Sequence, residues 1–410
     1  MPPLNPADVE TCLRVLDALD EADDTGAAAV WAAVDKAYKI RKKRLKGERR
    51  AAVAQHDRRL LTAPRPAEGA ELLRARNCYV CKAPYRAVPA TYPQMCADCA
   101  AGNTARRHAR ADLTGRRALL TGGRIKIGFE TALKLLRDGA EVVVTTRFPR
   151  DAERRYAGVP DAADWRDRLH IHGVDFLDLP GVLGLADAVA AQWGHLDILV
   201  NNAAQTIQRP PSYYRELAAA EGRPALAASA TDLFFPAGAL DETGEPLDLR
   251  PVNSWMLKVH QVTPREWMEV QVINAFVPFL LTARLRPLLH ASPFPDRYVV
   301  NVSAMEGSFS RRNKTADHPH TNMAKAGLNM LTRTIAGEYA AEGIHVTSVD
   351  TGWVTDERPQ ATREALHGKG FRVPLDVVDG AARVYDPIVR GVHGDPVHGV
   401  FLKDYRVVQW

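Results

Sequence analysis

The stretch from Arg117 to Gly128, RALLTGGRIKIG, constrains this chain more than any other. Ala118, Leu119, Leu120 and Thr121 have the apolar, small character of a buried strand. Gly122 and Gly123 allow a tight turn, and Gly128 opens an amphipathic pattern, FETALKLLRDG, that stops at Gly139. A second apolar strand, Glu141 to Thr145, follows directly. Strand, glycine turn, helix and strand form the unit that sets a dinucleotide pyrophosphate on a helix N-terminus. An isolated glycine pattern says little; here both flanking elements are present.

The chain has 410 residues, enough for a large core and for more than one small unit. Mean hydropathy is −0.25, and no apolar run nears the ~20 residues of a membrane span. The start, MPPLNPADVETC, lacks the basic and apolar regions of a secretory signal. A cytoplasmic protein without a membrane segment is the expectation. The net charge of +5 is uneven: residues 1–110 hold 20 Lys and Arg against 13 Asp and Glu, and the remainder is slightly acidic. That asymmetry predicts a separate N-terminal module.

Two helical patterns occupy that module, from Ala7 to Ala18 and from about Ala27 to Leu61, around an acidic break at Glu21 to Gly26. The middle of the second, Lys36 to Arg50, is strongly basic. It suits contact with nucleic acid or an acidic partner. With so few aromatic side chains for base stacking, a solvated helix face explains it better. The segment APRP, 63–66, reads as a linker, so residues 1–65 form the helical part.

Residues 66–112 carry four of the five cysteines as two Cys-x-x-Cys pairs, Cys78 with Cys81 and Cys96 with Cys99, fourteen residues apart. Each pair presents two thiolates from a tight turn, and two turns complete a tetrahedron. Four soft thiolates favour Zn²⁺ and leave no open position, which predicts a structural site. The segment resembles a zinc ribbon.

Beyond the second strand, the residue class selects the cofactor ribose. An acidic side chain there would bind a free 2′-hydroxyl. This chain has Thr145, Thr146 and Arg147. Arg147 can pair with a 2′-phosphate, which favours NADP(H); were it to stack on adenine, NAD(H) would suit as well. A third strand, LHIHGVDF, ends at Asp175, in reach of the adenine, and a fourth, LDILVNNAA, ends at Asn201, Asn202 and Ala203.

In order and spacing, TGGRIKIG, VDFLD, LVNNAA, VINAF, NVSAMEG, MAKAG and VDTGWVT resemble the short-chain dehydrogenase/reductase family. The resemblance covers roughly 113–405. It implies an α/β fold of Rossmann type, a doubly wound parallel sheet, with residues 113–410 as one domain and a nicotinamide cofactor at the strand C-termini. It assigns the phosphate turn to Thr121, Gly122, Gly123, Arg124, Lys126, Ile127 and Gly128. Asn202 and Ala203 flank the cofactor, and Thr351, Gly352 and Thr355 close over the nicotinamide amide. Asn274 and Lys325 match two members of the catalytic tetrad, and Lys325 also binds the nicotinamide ribose.

The departures concern proton chemistry. Lys126 stands where the family's turn usually has Gly, and its cation can pair with the pyrophosphate. Counting back from Gly307 puts Ala304 at the family's Ser, with Ser303 one residue early and pointing away. Counting back from Lys325 puts Thr321 at the family's Tyr. A Tyr hydroxyl, with a pKa of ~10, can be tuned by a neighbouring ammonium; a Thr hydroxyl cannot. The preceding loop supplies His318 and His320 as replacement acids, and Glu306 is a further acid nearby.

An insertion at about 205–260 leaves the active-site end of strand four carrying Tyr213, Tyr214, Phe234, Phe235 and Trp255. Its aromatic content predicts a substrate lid or a platform for the zinc module. The apolar ending DYRVVQW predicts packing against a second copy, in a homo-oligomer, or against the N-terminal module. The expected activity is an atypical NADP(H)-dependent oxidoreductase acting on a small carbonyl, imine or alkene. A non-catalytic NADP(H) sensor or scaffold, and a lyase or epimerase using bound NAD(P) transiently, are the alternatives.

Overall fold

The computed structural model describes residues 4–19, 25–63, 66–224 and 229–410. Parts of the acidic break (20–24), the APRP linker (64–65) and the insertion (225–228) lie outside the described residues. Helix α1 (Pro6–Asp17) starts where the Asn5 side chain accepts the Ala7 amide at 3.1 Å, with Pro6 in the first turn. Helix α2 spans Thr25–Thr62, and its basic middle is exposed along its length. Near its end, buried Asp57 accepts the amides of Leu73 and Arg74 at 2.7 and 3.1 Å. This ties α2 to strand β1 (Glu71–Asn77), which pairs antiparallel with β2 (Pro84–Ala87). Helix α3 (Ala97–Arg107) follows. Gly102 and Asn103 are poor helix formers within it. Packing of Cys99, Ala100 and Asn103 overrides that local preference.

The remaining strands are β3 (Arg117–Leu120), β4 (Glu141–Thr146), β5 (Leu169–Gly173), β6 (Ile198–Asn201), β7 (Arg297–Ser303), β8 (Ile344–Asp350), β9 (Phe401–Lys403) and β10 (Arg406–Val408). They form one sheet in the order β10-β9-β8-β7-β6-β3-β4-β5. All neighbours pair parallel except the terminal hairpin of β9 and β10. The order reverses between β3 and β6, creating a crevice at their C-terminal ends. This is the expected doubly wound Rossmann arrangement. Leu119, Leu120, Val142, Val144, Ile198, Val200 and Val300 are fully buried, as parallel strands covered on both faces require.

Helices α4 (Lys126–Arg137), α5 (Pro149–Ala157) and α12 (Val377–Val392) cover one face. The other face carries α6 (Leu179–Gln192), α9 (Val277–His290) and α10 (Pro319–Ala341). Helix α7 (Arg215–Ala220) lies in the insertion and α11 (Gln360–Gly368) follows β8. A π-helical turn at Val272–Phe276 joins α8 (Pro264–Gln271) to α9. The Pro264–His290 segment is long and apolar enough to meet the length and composition of a membrane span. That exceeds the expectation from the sequence. Yet Val277, Leu281, Leu285 and Leu289 are wholly buried against the sheet, each contributing roughly 1.5–3 kcal/mol.

The chain's end does not stand free. Trp410 stacks on Phe401 at 5.9 Å, and the Tyr405 ring lies 5.6 Å from the Arg106 guanidinium of α3.

Candidate active site

The turn after β3 is shaped by contacts that exclude side chains. Gly122 has φ +70°, and a Cβ there would sit 2.9 Å from the Ala203 Cα. At Gly128 a Cβ would lie 2.1 Å from the Gly122 carbonyl oxygen. Lys126 adopts φ +53°, the left-handed region, which accounts for the glycine expected at this place. Thr121 and Gly123 support the turn from behind. The Thr121 hydroxyl accepts the amides of Asn202 and Ala203 at 2.9 and 3.0 Å. The Asn202 amide group donates to the carbonyls of Thr121 and Gly122, both at 3.0 Å. A Cβ on Gly123 would strike Val144.

These elements open into a cavity of about 1210 Å³, large enough for a dinucleotide with a substrate beside it. Of the sequence-predicted residues, Gly122, Arg124, Lys126, Ile127, Gly128, Thr146, Arg147, Asp175, Asn202 and Ala203 border it. So do Thr351, Gly352, Thr355, His318, Thr321 and Lys325. Three predicted residues are placed elsewhere or differently engaged. His320 points away from the cavity, with its Nε2 3.5 Å from the buried Glu266 carboxylate. Asn274 is locked to the Gln205 backbone, accepting its amide at 2.7 Å and donating to its carbonyl at 3.0 Å. Arg124 borders the cavity, but its guanidinium is taken by Asp151 at 2.6 Å and by Glu245 at 2.8 and 2.5 Å. Only the folded insertion brings Glu245 there. Lys126 in turn faces Glu357 at 4.0 Å.

At the β4 end, Arg147 lies 4.5 Å over the Tyr214 ring and 5.5 Å from the Phe148 ring. Its guanidinium has no carboxylate partner among the described residues. The insertion therefore walls the cavity, through Gln205, Arg209, Tyr213, Tyr214, Glu245 and Trp255. The Cys module packs on Val354, Leu375 and Val377, outside the insertion.

At the β7 and β8 end, the Lys325 ammonium donates to the Val302 carbonyl at 2.6 Å. Burial pushes its pKa down to about 8, which Glu306 partly opposes. Ser303 and Ala304 both border the cavity. The Ser303 and Thr321 hydroxyls are buried without a protein partner. Orphaned buried hydroxyls at a cavity wall are groups that a ligand can satisfy. His318 stacks on Trp255 at 3.8 Å, with Nδ1 2.8 Å from the Trp255 carbonyl. Nδ1 must therefore carry the proton, which leaves Nε2 as an acceptor. Burial lowers the His318 pKa, so the ring is neutral at pH 7. Asp350 accepts the amides of Met305 at 2.7 Å and Gly352 at 3.0 Å, joining the loops after β7 and β8.

Tyr79 and Lys82 of the Cys module also border the cavity. No sequence signal pointed to them, since adjacency to metal ligands says nothing about a distant sheet. The four cysteine sulfurs lie within 4.8 Å of one another, with Cys81 and Cys96 3.7 Å apart. A tetrahedron with metal–sulfur bonds of ~2.3 Å has edges of about 3.8 Å, so the cluster suits one ion.

A family model described as short chain dehydrogenase matches residues 116–221, and one described as enoyl-(acyl carrier protein) reductase matches 252–369. Together they cover more than half of the chain. The chain belongs to the short-chain dehydrogenase family, a family of oxidoreductases. Among its relatives, an uncharacterized protein of Acanthamoeba polyphaga mimivirus is 34% identical over 338 residues, 76% of this chain and 71% of that protein. The (−)-isopiperitenone reductase of Mentha piperita is 33% identical over 197 residues, 47% of this chain and 58% of that enzyme. Two short-chain dehydrogenase structures share the fold. NADPH-bound carbonyl reductase from chicken fatty liver has a TM-score of 0.50 at 19% identity, covering 73% of this chain and 100% of that one. A short chain dehydrogenase from Burkholderia cenocepacia in complex with NADP has a TM-score of 0.50 at 22% identity, covering 71% and 96%.

Proposed function

We propose that the protein is an NADP(H)-dependent reductase of a small carbonyl, imine or alkene, with Lys325 as its proton source. The observation that carries this is the buried Lys325, which borders the same cavity as the phosphate turn, along with Ser303 and Thr321, whose hydroxyls have no protein partner. The residues fit the cofactor. The turn around Gly122 and Gly128 leaves backbone free to approach a pyrophosphate, and Arg147 offers an unpaired guanidinium for a 2′-phosphate. The two structures named above as NADPH and NADP complexes are consistent with that choice.

Bound NADPH would supply hydride. The chain's own part is the proton. With a pKa of about 8, Lys325 is mostly ammonium at pH 7 and still acidic enough to give a proton to a developing alkoxide. The Ser303 and Thr321 hydroxyls would orient the substrate oxygen without ionising. In the oxidative direction the same path runs backwards, and the Lys325 amine takes the proton up again; neutral His318 lines the wall beside Trp255. We further propose that Cys78, Cys81, Cys96 and Cys99 hold a structural Zn²⁺; metal analysis of the purified chain should find one zinc per chain.

The test is NADPH consumption across a panel of carbonyls, imines and activated alkenes. Turnover should decline as pH rises above about 8, and Lys325→Met should abolish it. NADPH binding with no turnover on any substrate would sink the enzymatic reading and leave a sensor.

A further inference from the structure

The Cys module is no remote appendage. Its core of Leu72, Cys78, Tyr85, Tyr92, Met95 and Cys99 is continuous with Val354 and Leu375 of the dehydrogenase domain. Polar contacts surround this seam. Tyr92 donates to Asp379 at 2.5 Å, Arg107 reaches Asp376 and Asp379 at 2.7 and 2.8 Å, and Gln94 donates to the Arg372 carbonyl at 2.9 Å.

One contact reaches the active-site loop itself. The Tyr79 hydroxyl, from the turn between Cys78 and Cys81, accepts the Trp353 amide at 2.9 Å. A Cβ on Gly352 would lie 3.3 Å from that same oxygen. Gly352 has φ +78°, so the loop turns sharply where the tyrosine meets it. From its other side, Asp350 holds the Gly352 amide. The 351–355 wall is thus clamped between Asp350 and the Cys module.

We infer that Tyr79 is a positioning residue for the dinucleotide site, through which the Cys cluster sets the conformation of the 351–355 wall. The inference rests on the dinucleotide reading above. It restricts the effect to one half of the ligand. Strand β8 is separated from β4 by β7, β6 and β3, which at ~4.8 Å per strand puts about 19 Å between the Tyr79-held loop and the Arg147 end. A ligand confined to the Arg147 end should not sense Tyr79.

Tyr79→Phe in the full chain keeps the ring and removes only the acceptor. Affinities for NADPH and for 2′,5′-ADP are measured by calorimetry, and exchange of the Trp353 amide by hydrogen–deuterium exchange. The expected result is faster Trp353 exchange, NADPH binding weakened about threefold to tenfold, and unchanged 2′,5′-ADP binding. Unchanged NADPH affinity and unchanged exchange overturn the inference, as does equal weakening of both ligands. If the wild-type chain binds neither ligand, the dinucleotide reading fails, and Trp353 exchange still decides whether Tyr79 holds the loop.

Discussion

Replacing Lys325 with Met should make the protein more stable as it removes turnover. Met has nearly the volume of Lys and no charge to desolvate. The cost in the wild type follows from its pKa, pushed from 10.5 down to about 8 by burial. The ammonium is disfavoured in the folded chain. Below pH 8 both states bind the proton, and the folded state carries the full penalty, about 3 kcal/mol. Between pH 8 and 10.5 the unfolded chain binds more protons, so wild-type stability rises with pH. Above 10.5 the penalty is gone. Losing the hydrogen bond to Val302 returns about 1 kcal/mol, so the variant should be more stable by about 2 kcal/mol at pH 7. Urea unfolding of both proteins from pH 7 to 9.5 tests this, since every other group titrates alike in the pair. The penalty should shrink to about 1 kcal/mol at pH 9.5, which brings the two proteins to near parity. A stability difference independent of pH, or a wild type more stable at pH 7, would refute the account of Lys325 as a strained, desolvated ammonium.

Gly128→Ala puts a methyl group 2.1 Å from the Gly122 carbonyl oxygen, backbone that cannot yield cheaply. It should cost about 1–3 kcal/mol in urea unfolding and weaken NADPH binding more than tenfold by calorimetry. Arg147→Glu should weaken NADPH at least tenfold and leave NADH affinity unchanged or improved, read by fluorescence titration. Burial raises the Asp151 pKa, but Arg124, Arg154 and Arg155 outweigh it and hold the carboxyl at about 2. Its stabilisation is complete above pH 3.8 and lost as pH falls through 2. Asp151→Asn should therefore cost about 3–5 kcal/mol at pH 7, a gap that narrows by about 2 kcal/mol in acid unfolding. Chelation of the Cys cluster should increase proteolysis of residues 66–112 and of the 351–355 loop together, mapped by mass spectrometry.

What the sequence revealed was local. Gly122 and Gly128 answer to contacts a few residues away, so spacing exposed the phosphate turn and the strands around it. The Cys tetrad was equally legible, because ligand spacing is a short-range demand. What the sequence could not show are the partners that arrive from far along the chain. Arg124 resembles a phosphate ligand until Glu245 folds onto it. His320 looks like an acid until α10 turns it toward Glu266. Tyr79 carries no signal, because its role depends on Trp353, 274 residues later.

That separation also orders events in time. The Cys module leaves the ribosome first, yet its seam needs Val354, Leu375 and Asp379. Tyr92 and Asp379 are 287 residues apart, so at ~5–20 residues per second the module waits roughly 15–60 s for its partner surface. During that interval Tyr92 lacks the Asp379 partner it has in the finished molecule. The four thiolates all come from residues 78–99, so capture of the proposed ion needs no residue made later. The nascent chain would then dock a finished clasp onto a loop made 274 residues after Tyr79. Starving cells of metal during synthesis should therefore harm the yield of folded protein more than stripping metal from molecules already made.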